Sequence, residues 1–212
     1  MFRNLLNFEV MLMRVPAVLI ALTFHEFAHA YTAYKLGDYT AKLNGRLTLN
    51  PIKHLDPIGT LFLVIFGFGW AKPVPVSTLY FKKPRRDMAI VAITGPLSNF
   101  IMAIIGSVLF ALSAAFFGGT IITTIMWYFM AVNIGLGIFN LIPFPPLDGS
   151  RVLMYFLPSK VYMKVAEFEQ YSFIILLLLV WLGAFDFLMN KAVLPLVGLL
   201  GNFSAVIYSV IK

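Results

Sequence analysis

Long apolar stretches alternate with short polar, glycine- and proline-rich ones along this chain of 212 residues. Five stretches, at about 8–34, 88–117, 121–142, 165–183 and 192–211, approach or exceed the roughly 20 residues that a helix needs to cross a bilayer. A sixth, 58–70, belongs to the shorter class that re-enters the membrane or lies at its surface. Gly67 and Gly69 also argue against a full crossing there. In the sequel Lys72-Pro73-Val74-Pro75-Val76, valine alternates with proline, which suits an extended edge segment. The pattern predicts an all-α polytopic membrane protein. It has five full spans plus a re-entrant or extended hairpin near residues 58–80, or six membrane segments if the hairpin is counted. With no internal repeat, low-complexity tract or soluble stretch, residues 1–212 read as a single membrane-embedded domain.

Composition supports lipid as the solvent. Hydrophobic residues make up 60% and charged residues 12%, with mean hydropathy +0.89, against about 45–50% and about 25% in soluble globular chains. The net charge of +7 is explained by position. In the five-span arrangement the loops 37–87 and 143–164 share one side, with Lys42, Arg46, Lys53, Lys72, Lys82, Lys83, Arg85, Arg86, Arg151, Lys160 and Lys164. The other side keeps Arg3 and Lys191. That asymmetry makes the first side cytoplasmic, so the chain is expected as a multi-pass protein of the cell membrane. No basic run is interleaved with aromatics, and nucleic acid is not expected as a partner. Residues 1–10 lack a small-residue cleavage site, so the first apolar segment is expected to be retained.

With no cysteine, any metal must be held by His, Asp or Glu. Three ionisable residues fall within five positions of the first span, as His25-Glu26-Phe27-Ala28-His29. Such residues are expensive in lipid and mark function. His25 and His29 stand at i and i+4 and share a helical face, so both imidazoles can bind one Zn²⁺. Glu26 beside them can take a proton from a water activated by the metal. Catalytic zinc takes a third protein ligand and keeps an open position. The third span returns to the cytoplasmic side, where the histidines lie, and Asp148 follows it directly in Asn140-Leu141-Ile142-Pro143-Phe144-Pro145-Pro146-Leu147-Asp148-Gly149. Irregular backbone at membrane depth is tolerated where it lines a cavity, which makes Asp148 the candidate third ligand. The same residue also suits the N-cap of the following helix.

These two motifs together resemble the site-2 protease family of intramembrane zinc metalloproteases, peptidase family M50. That family pairs an HExxH helix with a distant Asp-Gly motif whose Asp is the third zinc ligand. Asn50-Pro51-Ile52-Lys53-His54-Leu55-Asp56-Pro57-Ile58-Gly59 and Gly95-Pro96-Leu97-Ser98-Asn99 add matches, and resemble the short bacterial and archaeal form without PDZ or CBS domains. The resemblance runs from about Ala21 to Leu178. It implies one Zn²⁺ per chain on His25, His29 and Asp148, and hydrolysis of membrane-spanning protein substrates in regulated intramembrane proteolysis. It also implies a site reached from the cytoplasm. Substrate choice by a PDZ-type module is not expected.

Two further residues coincide with family motifs. Asn99 is expected either to donate to the oxyanion of the tetrahedral intermediate or to bind an extended substrate, the alternative being an interhelical hydrogen bond. His54 reads either as a group that stabilises transition-state charge or occupies the metal, or as a surface loop histidine. Asn140 is expected to shape its turn, Asp56 to close a turn with Pro57, and Glu167 and Glu169 to anchor the fourth span or gate the site. The segment 72–76 is expected to offer free backbone groups to an unwound substrate. Two other classes compete: a metal-binding membrane transporter, which would spread its ligands along a path, and a non-catalytic membrane scaffold, which has no use for Glu26. Oligomeric state is not encoded in any feature of the sequence.

Overall fold

A computed structural model describes residues 8–59 and 70–212. All of its regular elements are helical, and no strand ladder occurs among the described residues. Helix α1 spans Phe8–Lys35 and α2 is the single turn Thr40–Leu43. A 3-10 turn at Pro51–His54 follows. Then come α3 (Pro84–Phe117), α4 (Ile121–Asn140), α5 (Asp148–Phe156) and α6 (Ser159–Trp181). The last helix, α7 (Ala184–Ile211), is continuous through a π turn at Met189–Val193. Pro195 sits just beyond that turn, and its missing N–H removes an ordinary helical bond.

Among the described residues three helices are long and apolar enough to cross a membrane by length and composition: α3, α4 and α7. Helices α1 and α6, of 28 and 23 residues, extend about 42 and 34 Å at 1.5 Å per residue, and carry charges such as Arg14 and Glu26 in α1 and Lys160 to Glu169 in the first half of α6. Several boundaries differ from the sequence expectation. Residues 186–191 are helical and not a loop, because no proline or unpaired glycine follows Gly183 until Pro195. Arg85 and Arg86 lie in the first turn of α3, which Pro84 opens, as proline favours the first helical position. Of the hairpin expected at 58–80, residues 60–69 lie outside the described residues. Its flanks meet: Leu55 and Ala71 form an antiparallel bridge, and a Cβ on Gly59 would stand 2.2 Å from the Trp70 carbonyl oxygen.

The bundle core is α1, α3 and α4, mutually packed. Buried positions recur every fourth residue: Ala17, Ala21, His25, His29 and Ala33 on α1, and Asp87, Val91, Asn99, Ala103, Ser107 and Ala111 on α3. Such i±4 rows are the ridges by which helices interlock. Their small side chains let backbones approach closely, as membrane helices require where lipid gives no hydrophobic drive to associate. Ile90, Ile93, Leu97, Ile101 and Ile104 cover the outer face of α3 and are exposed. Arg14, in the first half of α1, lies 4.9 Å over the Tyr128 ring. Helix α7 packs on α3 and α4, with Val193 joining Ala103, Met130 and Ile134 in one cluster.

Candidate metal centre

The four-residue stripe of α1 places two imidazoles where its other members are alanines, so both rings are buried between helices. Their orientation is set by hydrogen bonds on Nδ1. His29 Nδ1 donates to the Val91 carbonyl, 2.8 Å away. His25 Nδ1 lies 2.7 Å from Asn99 Oδ1. The Asn99 amide group donates to the Ala21 carbonyl at 3.2 Å and to Asn133 Oδ1 at 2.9 Å, and Asn133 in turn donates to the Phe129 carbonyl at 2.8 Å. Asn99 Oδ1 is therefore the acceptor, and His25 Nδ1 carries the proton. In the neutral tautomers so fixed, each Nε2 presents a lone pair.

The two Nε2 atoms are 3.0 Å apart. Asp148 Oδ2 completes a triangle with them, 3.1 Å from His25 Nε2 and 3.2 Å from His29 Nε2. Oδ2 is buried and has no hydrogen-bond donor. Three electron-pair donors thus converge where no proton donor separates them. Ligands about 2 Å from one tetrahedral zinc stand about 3.3 Å apart, close to the triangle observed. The residues fit the metal. Among the described residues this is the only cluster of three or more such groups able to hold an ion.

Close backbone approach makes the triangle possible. A Cβ on Gly95 would lie 2.3 Å from His29 Nε2 and 2.7 Å from His25 Cε1, so only glycine lets α3 press against both rings. Gly149 does the same for the third ligand: its Cβ would lie 2.2 Å from the Leu141 carbonyl oxygen, and its absence folds Asp148 back over the end of α4. Helix α5 has Leu147 as its N-cap with no side-chain capping bond. The Asp148 side chain turns to the histidines instead.

Glu26, three residues before His29, stands on the same side of the helix and is 9% exposed. One of its oxygens, Oε2, accepts the Val74 N–H at 2.9 Å. Other expectations need correction. Asn99 has no amide proton left for an oxyanion. It serves the interhelical alternative, as the residue that orients His25. His54 is no surface histidine, being 2% exposed. Its Nε2 bonds the Thr48 carbonyl at 2.8 Å, and it does not join the His25–His29–Asp148 cluster. The segment 72–76, expected to be extended with free backbone groups, has no helix or turn, but most of its donors are committed. Lys72 N donates to His54 O at 2.9 Å, Val74 N to Glu26, and Ser77 N to Asp38 Oδ2 at 2.7 Å. Asn140 Nδ2 bonds the Leu136 carbonyl within its own helix. Asp56 closes its turn by accepting Gly59 N–H at 2.8 Å. Glu169 pairs with Arg151 of α5.

Sequence reasoning did not name Val91, and it named Asn133, Gly95 and Val74 without the contacts they make here. A helical projection of α3 and α4, whose stripes face α1, carries the signal for the first three. Ligand histidines depend on partners that fix their tautomer, and losing one typically costs 10–100-fold in affinity. Asn99→Ala is therefore expected to weaken zinc binding by about 10–100-fold in a chelator competition, with the helical content of the protein unchanged.

The chain is similar to a family model and to several known proteins. The model of peptidase family M50 matches residues 113–182, a stretch that includes Asp148 but not the histidine helix. YwhC of Bacillus subtilis, named as a zinc metalloprotease, is 47% identical over 173 residues, covering 78% of each chain. Rip2 of Mycolicibacterium smegmatis, similarly named, is 29% identical over 80% of this chain and 67% of its own. MJ0611 of Methanocaldococcus jannaschii, also named a zinc metalloprotease, is 25% identical over 70% of this chain and 74% of its own. No solved structure gives a significant match.

Proposed function

This chain belongs to peptidase family M50 and is a metalloprotease with zinc as cofactor, and on that premise we propose that it cuts membrane-spanning proteins within the bilayer. The observation that carries the reading is the convergence of His25, His29 and Asp148 on the buried side of an apolar helix bundle. A hydrolytic centre there is useful to a substrate that is itself in the membrane. The scaffold alternative gives no role to Glu26 or to Gly95, and a transporter would need further ligand groups along a path.

In the proposed topology α1, α3, α4, α6 and α7 are the five spans. The basic residues from Lys72 to Arg86, with Arg151, Lys160 and Lys164, favour the cytoplasm for the ends of α1 and α4 nearest the site. His29 lies six residues before the end of α1, about 9 Å along the axis, so water reaches the centre from that side.

His25, His29 and Asp148 would hold the metal. When bound, zinc supplies a Lewis acid for the scissile carbonyl and lowers the pKa of water toward about 7. The chain's own groups do the rest. Val91 and Asn99 keep both Nδ1 atoms protonated and so hold the lone pairs toward the metal. Glu26 takes a proton from the attacking water and passes it to the leaving amine. The Val74 N–H steadies one carboxylate oxygen and leaves the other for that transfer. An unwound substrate still finds the carbonyls of the extended segment and the Val76 N–H, whose donor is uncommitted among the described residues.

The experiment is cleavage of a single-span protein by the purified enzyme in proteoliposomes. Removing zinc with a chelator is expected to stop cleavage, and adding zinc back to restore it. Cleavage that persists in metal-free protein would refute the reading.

A further inference from the structure

The general base is held by a backbone segment that is itself pinned from outside the site. Asp38 does the pinning. It follows Gly37, which ends α1 in the left-handed region at φ +104°, and it is fully buried. Its Oδ1 accepts the Thr40 N–H at 2.9 Å and the Thr40 hydroxyl. Its Oδ2 accepts the Ser77 N–H at 2.7 Å. The other end of the segment is fixed at Lys72, whose N–H goes to the His54 carbonyl at 2.9 Å and whose carbonyl accepts from the Arg46 guanidinium.

Between these pins lie Pro73, Val74, Pro75 and Val76. Each proline fixes φ near −65° and has no N–H to bond elsewhere. A stretch of four residues with two locked φ angles behaves as a stiff tie, so the place of its middle amide follows from the places of its ends. That middle amide is Val74 N–H, the donor to Glu26. Val76 seats the tie further, against the cluster of Ala33, Phe81 and Val91.

We infer that Asp38 is a positioning residue for the hydrolysis: it sets the register of the 72–77 segment on α1, so that the Val74 amide holds Glu26 in place. This rests on the assignment of Glu26 as general base. Asp38 and Glu26 belong to the same stretch of chain, Asp38 three residues beyond the end of the helix that carries Glu26. The tie therefore refers the base back to its own helix, and small shifts between helices leave their contact intact.

A misplacement of about 1 Å at a reacting group costs about a hundredfold in rate. Asp38→Ala is accordingly expected to lower kcat by about 10–100-fold in proteoliposomes, with KM changed less than about threefold. Zinc should stay at one equivalent, because no metal ligand is touched. Amide hydrogen exchange across residues 72–77 should speed up by at least about tenfold. Asp38→Asn, which keeps the shape and one oxygen, should fall between Asp38→Ala and the parent in both readouts. Thr40→Val removes only the hydroxyl bond and should match the parent in rate and exchange. Parent-like kcat in a folded Asp38→Ala or Asp38→Asn protein would overturn the inference, as would lost activity with unchanged exchange at 72–77 or with zinc lost. Activity in Glu26→Gln would instead overturn the assignment of the base, so the two failures are distinguishable.

Discussion

Glu26→Gln is expected to retain one zinc per chain and to cleave more slowly than the parent by about a thousandfold or more. The amide is nearly the size of the carboxylate, and its carbonyl oxygen still accepts the Val74 N–H, so the fold and the held segment should persist. What disappears is the ability to take a proton from water at neutral pH. Positioned acid–base catalysis contributes about 10²–10⁴-fold, and among the described residues the other carboxylate at the centre, Asp148, is the candidate metal ligand. The check is kcat in proteoliposomes alongside zinc content of the same preparation. Loss of zinc together with activity would show that Glu26 acts through the metal site's structure and not as the base.

Asp148→Ala is expected to have the opposite profile: zinc lost first, and activity with it. Two imidazoles alone leave the metal without its only anionic ligand. The loss should exceed the 10–100-fold typical of an outer-shell partner, so the protein purifies with well under one equivalent at micromolar zinc. Helix α5 should survive, since Leu147 and not Asp148 occupies its N-cap and no side-chain cap bond is broken. Thermal unfolding of the metal-free parent is the proper reference, because zinc bound to the folded state adds stability by mass action. An Asp148→Ala protein that keeps full zinc would place the third ligand elsewhere.

The candidate ligands were legible in the sequence because each carries its own signal. Two histidines four apart in an apolar run have few other uses, and Asp148 falls where the third span ends. Spacing within a helix is local, so it survives without knowledge of neighbours. The partners were not legible for the same reason reversed. That Asn99 orients His25 depends on where both its amide protons go, to Ala21 and Asn133, and those acceptors are set by how three helices cross. Asn99 read from sequence as an oxyanion donor, a substrate contact or an interhelical hydrogen bond, and only the crossing of the helices shows where its protons go.

The helices were largely readable from apolar run lengths, with errors at several ends. Asp186 to Lys191 looked like a loop because charge usually marks one, yet helix continues through it. Helix α6 begins at Ser159, before its apolar run, since nothing after Pro158 breaks a helix. The segment 72–76 was read as extended with free backbone groups, yet Lys72 N and Val74 N are committed. Two prolines announce an extended chain, but only the fold brings Asp38 and Glu26 to the remaining amides.

The most direct test of the central claim is mass-spectrometric mapping of the bond cut in a single-span substrate co-reconstituted with the purified enzyme. The expected result is a scissile bond inside the apolar segment of the substrate, in its cytoplasmic half, with the same products absent when Glu26→Gln replaces the parent. Cuts confined to the water-exposed flanks, or identical products from Glu26→Gln, would contradict a zinc centre that hydrolyses peptide bonds within the membrane.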